Sequence, residues 1–431
     1  MVAVVVALVL GLGGCTSSDE PRPAPSPRAT YAERWRPQFH YSPPAGRLAD
    51  PNGLVYDAGE WHLFHQQDGT WAHAVSPDAV HWTTLRKDFR DPKVFWHEPS
   101  RRWVMVVSLG DEVGLFSSPD LIGWEELSRF GAGHGLHSAV WECPDLFPLP
   151  VDGDPDRARW VLTVSVGDSD ATDGSTAQYF VGDFDGTTFV RDPSVPPDTV
   201  QQTDVGQDFY AAQSYEHAPD GRRVWMGWMG SWRYPYSAPT HPWTNAMSVP
   251  RDLGLRTVDG EVRLVQAPVP ELESLRGEAV RVGARSIGRD TILPLDGARL
   301  ELEAEIETGG ASTVGLRVHE SRDADGRVVE AVEVGYDSRD GGRLVMSRTR
   351  GAGPAGLPLQ RSVPYRPSGG VLRLHVLVDE SSVEVFVDDG ALTGTMLVFP
   401  SRGGRGVSLT AEGGDARLRE LTSWPLASIW D

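Results

Sequence analysis

The sequence predicts an all-β chain in two parts, on three observations. Its 47 Gly and 33 Pro interrupt the chain too often for long helices. Short, β-branched apolar runs recur between Gly, Asp and Pro turns up to about residue 265, where strict period-two alternation takes over. Thirteen of the 15 Trp fall between Trp35 and Trp243, and only Trp424 and Trp430 lie beyond, so the two parts also differ in composition.

The first segment reads as an address. Met1 to Gly14 is almost wholly apolar but falls short of the roughly 20 residues that span a bilayer, as expected of an export-signal core. It ends Leu12-Gly13-Gly14-Cys15, which resembles the lipobox of bacterial lipoproteins and makes the Cys15 thiol the expected site of lipidation; a short non-lipidated signal is the alternative. The missing positive flank places the expected true start upstream of Met1. Residues 16–33 follow as a Pro/Ser linker with too few apolar residues to pack. The expected location is therefore extracellular, anchored to the cell membrane only through that lipid. If Cys15 is acylated, Cys143 is left without an internal disulfide partner.

The stretch from 34 to 265 contains strand-like runs such as Glu60–His65, Trp103–Val107 and Trp160–Val164. A weak repeat runs through it. Ser76-Pro77-Asp78 before Trp82 recurs as Ser118-Pro119-Asp120 before Trp124, an offset of 42 residues and the size of one four-stranded propeller blade. From 266 to 431 the runs Arg299–Ile306, Val371–Val378 and Ser382–Val387 alternate apolar and polar positions, the pattern of a sandwich strand with one buried and one wet face.

Charge and motif spacing exclude several functions. A net charge of −20 argues against nucleic acid as a partner. Two cysteines cannot build a zinc site, and the 12 His show no HExxH or i, i+4 pairing, so neither metal nor cofactor is expected. Gly131-Ala132-Gly133-His134-Gly135 lacks the strand-to-helix setting of a nucleotide loop, and Cys143 reads as pocket lining rather than as a nucleophile.

Three carboxylate motifs remain, in the order Asp50-Pro51-Asn52-Gly53, Arg90-Asp91-Pro92 and Glu142-Cys143-Pro144. Taken singly, the first is also an ordinary turn and the second also a structural ion pair. Asn, however, occurs only at positions 52 and 245. In the third motif, Trp141 and Cys143 give the Glu142 carboxyl an apolar surround, which disfavours its ionised form.

Together the three motifs resemble glycoside hydrolase family 32, the invertase, levanase and inulinase family. Asp208–Gln213, Gly227-Trp228-Met229 with Trp232, Pro250–Leu253 and the stretch Val378–Phe386 agree with it. The resemblance runs from about Gln38 to the C-terminus. It implies an N-terminal five-bladed β-propeller that carries the active site, followed by a C-terminal β-sandwich. It also implies Asp50 as nucleophile, Glu142 as acid/base and Asp91 as the carboxylate that holds sugar hydroxyls and stabilises the transition state. Asn52, Gln66, Arg90 and Trp232 would bind substrate, with Asp208 and Tyr210 as further candidates. For Gln66 and Trp232, a strand-end polar residue and a core aromatic are the plain alternatives.

The chain also departs from that pattern. Leu48-Ala49 stands where the family has an amide-bearing Trp-Met-Asn, and only four residues separate Gln66 from Trp71. Asp50 and Asp91 are 41 residues apart, about one blade where the family has roughly two. Much of one blade is then missing, leaving four blades or an open, distorted ring. The expected function is a retaining glycoside hydrolase that releases fructose from β-fructosides such as levan, inulin or sucrose. The alternative is a fructan-binding surface lipoprotein whose shortened propeller has lost turnover.

Overall fold

The computed structural model describes residues 31–430 apart from 58, 68–69, 86–91, 122–123, 350–352, 354–356 and 401–402. Cys15, the leader and most of the expected linker lie outside the described residues, as do Arg90 and Asp91.

The N-terminal part is built from antiparallel four-stranded meanders. The first is β1 (Gly46–Asp57), β2 (Glu60–Gln67), β3 (Thr70–Ser76) and β4 (Thr83–Leu85). The second is β5 (Lys93–His97), β6 (Arg102–Ser108), β7 (Val113–Ser118) and β8 (Glu125–Phe130). The third is β9 (Trp141–Val151), β10 (Asp154–Ser169), β11 (Gly174–Phe184) and β12 (Phe189–Arg191), with the short β13 (Gln201–Gln202) added to β11. The fourth runs β14 (Tyr210–Ser214), β15 (Val224–Met229), β18 (Arg251–Val258) and β19 (Glu261–Pro268). Between its second and third strands, β16 (Trp243–Thr244) lies parallel to β1 and β17 (Ala246–Met247) pairs with β15.

Each unit has the strand order of a propeller blade. Five blades are expected and four are found among the described residues. Only seven residues, 86–92, separate β4 from β5, too few for another set of four strands, so the shortfall read from the Asp50–Asp91 spacing falls at this junction. The 42-residue repeat has a structural counterpart. Both Ser-Pro-Asp copies turn the third strand of a unit into the fourth, and both are held alike. Ser76 Oγ donates to Asp78 Oδ1 (3.0 Å) and Ser118 Oγ to Asp120 Oδ1 (3.1 Å). The Asp amide of each turn returns to the Ser oxygen at 3.3 and 3.2 Å.

The C-terminal part is a two-sheet sandwich. One sheet has the order β20 (Val280–Val282), β32 (Ala416–Pro425), β23 (Leu300–Glu307), β28 (Val371–Asp379), β29 (Ser382–Val387), β30 (Leu392–Leu397), with β21 (Arg285–Ile287) also on β32. The other has β22 (Thr291–Asp296), β31 (Gly406–Glu412), β24 (Thr313–Arg322), β25 (Val328–Asp337), β26 (Arg343–Arg348), β27 (Gln360–Pro364). The apolar positions of the alternating runs, among them Leu302, Ile306, Leu372, Leu374, Val383 and Val385, meet in one core between the sheets. The division expected after residue 265 falls inside β19, which continues to Pro268, and the link is the short 3-10 segment Pro270–Leu275.

The alternation in Ser382–Val387 does not leave a wet face, because all six residues are buried. The second face of β29 packs on the propeller part. Glu384 accepts from Arg251 Nη2 (2.6 Å) and lies 2.6 Å from His40 Nε2, while Asp379 lies 2.7 Å from His40 Nδ1. Arg251 also reaches Asp204 Oδ2 (3.0 Å), and the backbone amide of Val205 donates to Thr393 O (2.8 Å). The matched stretches Pro250–Leu253 and Val378–Phe386 are thus the two halves of one buried seam. The first and last described segments also pair with each other. Tyr31 stacks on Trp430 at 4.0 Å, and the amide of Ile429 donates to Gln38 O (2.9 Å).

Candidate active site

Three β-bulges aim the site's side chains. In β1, the two residues between Leu48 and Pro51 oppose the one between Gln67 and His65, so one extra residue interrupts the ladder at Ala49-Asp50. In β9, the two residues between Glu142 and Asp145 oppose the one between Ser165 and Thr163, and Cys143 takes a φ of 47°. In β14, the two residues between Tyr210 and Gln213 oppose the one between Trp228 and Met226, and Ala211 takes a φ of 53°. Bulges re-aim side chains, and a left-handed backbone at a non-glycine residue costs on the order of 1–3 kcal/mol that surrounding packing must sustain. The strain falls immediately after Glu142 and immediately after Tyr210.

The result is a cavity of about 340 Å³ lined by Asp50, Asn52, Gln66, Lys93, Glu142 and Gln213, among others. The Tyr210 hydroxyl donates to Glu142 Oε2. Burial, together with the nearby Glu142, Cys143 and Asp50, pushes the Tyr210 phenol far above its ordinary range, so it remains a donor at any working pH. Asp50 is buried to 7% exposure at the end of its bulge, and Asn52 Nδ2 donates to the Asp50 carbonyl at 3.4 Å. The other Asn of the chain serves the same strand. Asn245, at a φ of 66°, donates through Nδ2 to Leu48 O (2.9 Å) and Pro235 O (2.7 Å).

Of the residues singled out from sequence, Asp50, Asn52, Gln66 and Glu142 come together in the cavity, and Tyr210 joins them through Glu142. Trp232 stands edge-on to Tyr210 (6.3 Å between ring centroids) and to Trp228 (5.0 Å), a step back from the lining. Asp208 is a correction. It is fully buried at the seam with the sandwich, accepting from Tyr234 Oη (2.6 Å) and the Leu397 amide (2.8 Å), with Arg348 at 3.5 Å. Burial raises its carboxyl above the usual range despite those partners. Its side chain is committed to the domain junction by these partners and does not line the cavity. Arg90 and Asp91 lie outside the described residues, but Pro92 and Lys93, which follow them, line the cavity.

Sequence reading missed Lys93, Gln213 and Asp145. Lys93 is buried, with Nζ 2.7 Å from Ser214 O, 3.3 Å from Asp145 Oδ1 and 3.2 Å from Glu216 Oε1. A lysine directly after Arg-Asp-Pro and an aspartate directly after Glu-Cys-Pro were the available signal. Both read as flanking polar residues until the strands are placed side by side.

One group of metal-ligating type occurs among the described residues, Glu301, Glu303 and His375 on the sandwich. Arg276 already grips Glu301 with two bonds (2.7 and 2.8 Å), and His375 Nε2 is 2.7 Å from it. Glu301 is thus already paired with a protein cation.

Comparison with known proteins agrees with this geometry. The family described as "Glycosyl hydrolases family 32 N-terminal domain" matches residues 40–86 and 84–268, and "Glycosyl hydrolases family 32 C terminal" matches 271–425. The first match breaks in two at the junction where blade strands are missing. A levanase of Bacillus subtilis (strain 168) is 36% identical over 93% of this chain and 72% of its own length. That alignment spans 493 positions, more than the 431 residues of the chain, so the relative carries segments absent here. An extracellular exo-inulinase of Aspergillus awamori is 28% identical over 93% of this chain and 96% of its own. The crystal structure of exo-inulinase from Aspergillus awamori superposes with a TM-score of 0.83 at 27% identity, covering 93% of this chain and all of that one. A β-fructofuranosidase from Schwanniomyces occidentalis shares the fold, with a TM-score of 0.81 at 22% identity over 93% of this chain and 99% of that chain. With both halves of the chain matched and the three bulged strands converging on one acidic cavity, the protein belongs to glycosyl hydrolases family 32.

Proposed function

We propose that the chain is a secreted, retaining glycoside hydrolase that releases fructose from β-fructosides of the levan, inulin or sucrose type. The observation that carries this reading is the convergence of Asp50 and Glu142 on one cavity, with the Tyr210 hydroxyl bonded to Glu142. Levanase and exo-inulinase relatives support the enzyme over the binding-only alternative.

Breaking a ketosidic bond builds positive charge on the anomeric carbon and negative charge on the departing oxygen. Glu142 protonates that oxygen. Asp50 attacks the anomeric carbon from the opposite face and forms a fructosyl ester, which a water activated by the then-ionised Glu142 hydrolyses with overall retention. The Tyr210 hydroxyl steadies the Glu142 carboxylate in that ionised interval. Asp91 holds sugar hydroxyls and stabilises the transition state, and Arg90 binds substrate. Asn52 and Gln66 bind the fructosyl unit by hydrogen bonds, and the Trp232 indole backs the pocket from behind Tyr210. Lipidation at Cys15 would hold the enzyme at the outer membrane surface.

The test is fructose release by purified residues 16–431 from levan, inulin and sucrose, with Glu142→Gln as the paired control. Release that disappears in the control is expected. A folded protein that releases nothing from any of the three would overturn the reading.

A further inference from the structure

Resting on that reading of Glu142 as the acid, we propose that Lys93 and Asp145 are positioning residues that set the hydrogen bond between Tyr210 and Glu142. The argument begins with what backbone pairing leaves undone. β9 pairs with β10 and β18, β14 pairs with β15, and β5 pairs with β6. No ladder joins β5, β9 and β14 directly to one another, although these three strands carry Lys93, Glu142 and Tyr210; β9 and β14 share a sheet only through β18 and β15, and β5 belongs to another. A direct tie among them therefore has to come from side chains.

One buried cluster supplies it. The Lys93 ammonium donates to Ser214 O on β14 at 2.7 Å and stands 3.3 Å from Asp145 Oδ1 on β9. The Ser214 amide closes the triangle by donating to Asp145 Oδ2 at 2.6 Å. Asp145 is three residues past Glu142 and Ser214 is four past Tyr210, so the clamp and the Tyr210–Glu142 bond tie β9 to β14 at both ends of their bulged segments. A weaker tie lies between, from Gln213 Nε2 to Pro144 O (3.5 Å), and the Ala211 amide fixes β14 to the next strand, β10, by donating to Ser165 Oγ (2.9 Å). Below the clamp, Glu216 lies 3.2 Å from Lys93 Nζ and accepts from Arg223 Nη1 at 2.8 Å; burial would raise its carboxyl, but the two cations hold it down at about 2.

The groups that face Glu142 among the described residues are Asp50 from β1, Tyr210 from β14, Lys93 from β5 and Cys143 on its own strand. A donor held against the carboxylate favours its ionised form. Letting β14 drift removes that donor and favours the protonated acid, while misplacement by about 1 Å costs on the order of 100-fold in rate.

The experiment measures kcat and KM on sucrose across pH for the wild type, Lys93→Met, Asp145→Asn and Lys93→Arg, with folding checked by near-UV circular dichroism. Lys93→Met deletes a positive charge and Asp145→Asn a negative one, so a direct charge effect on Glu142 would move the alkaline limb of kcat/KM in opposite directions. Loss of the clamp moves it upward in both, with kcat reduced at least tenfold, KM little changed and partial rescue in Lys93→Arg. Added to Tyr210→Phe, neither change moves the limb further. Should Lys93→Met fail to fold, Asp145→Asn, which keeps shape and volume, decides alone through the direction of its shift. Opposite shifts, or an unmoved limb in folded variants, would overturn the inference. Absence of fructose release by the wild type would instead strike the functional reading on which it rests.

Discussion

Raising the pH through the alkaline range should loosen the seam between the two halves of the chain at one residue, His40. The imidazole is fully buried between Asp379 (2.7 Å) and Glu384 (2.6 Å). Burial disfavours its charged form, but the hydrogen bonds and charges of the two carboxylates outweigh that and push it up from 6.5 to about 9. A raised folded-state value means that stability is fully present below the unfolded value and disappears as pH climbs through the folded one. His40 therefore stabilises fully below about pH 6.5, loses its contribution progressively between 6.5 and 9, and contributes little above that. Two and a half pH units at roughly 1.4 kcal/mol each give about 3 kcal/mol, a large part of the total of about 5–15 kcal/mol typical of a folded protein. The assay is urea unfolding of the wild type and His40→Asn at pH 5.5 and pH 10. Other titrating groups cancel in the difference between the two proteins. The wild type should be the more stable at pH 5.5, and the gap should narrow by about 3 kcal/mol at pH 10. An equal gap at both pH values would refute the charged-imidazole argument.

Three further outcomes are expected. Asp50→Asn should abolish fructose release, by about 100-fold or more, with an unchanged unfolding midpoint, and retained turnover would remove Asp50 from the nucleophile's role. Tyr210→Phe deletes a hydrogen bond to a carboxylate, worth about 1.5–3 kcal/mol, so kcat on sucrose should fall about 10- to 100-fold while the thermal midpoint holds within a few degrees. Arg251→Met leaves Asp204 and Glu384 buried without their cation, at a cost of about 3–5 kcal/mol, read as a lower midpoint in thermal unfolding. A midpoint equal to the wild type's would show that Thr395, His40 and backbone amides suffice for those carboxylates.

Residue order alone disclosed a good deal of the site. Two of the bulged segments fall in short local motifs, so Asp50-Pro51-Asn52-Gly53 and Glu142-Cys143-Pro144 stand out without any knowledge of partners. The rarity of Asn drew attention to residue 52, and only the structure ties Asn245 to the strand of Asp50 through Leu48. Asp208 misled because a carboxylate two residues before an active-site Tyr looks like a ligand for sugar. Only its neighbours, Tyr234, Arg348 and the Leu397 amide, reveal that it serves the seam. Lys93 and Asp145 stayed silent for the opposite reason. Each is an unremarkable polar residue in its own strand, and the two are 52 residues apart.

The sequence by itself determined the all-β character, the 42-residue repeat and the shortfall between Asp50 and Asp91. These follow from turn chemistry, periodicity and chain length, which are properties of neighbours along the chain. Tertiary structure alone decided that four blade-like units are present among the described residues, that Tyr210 faces Glu142, and that the charged positions of Ser382–Val387 are buried against the propeller part. Those outcomes depend on which strands lie side by side. Hydrophobic alternation specifies that one face of a strand is covered, and a second covering layer becomes visible only when Arg251 and His40, distant in sequence, arrive to neutralise Glu384.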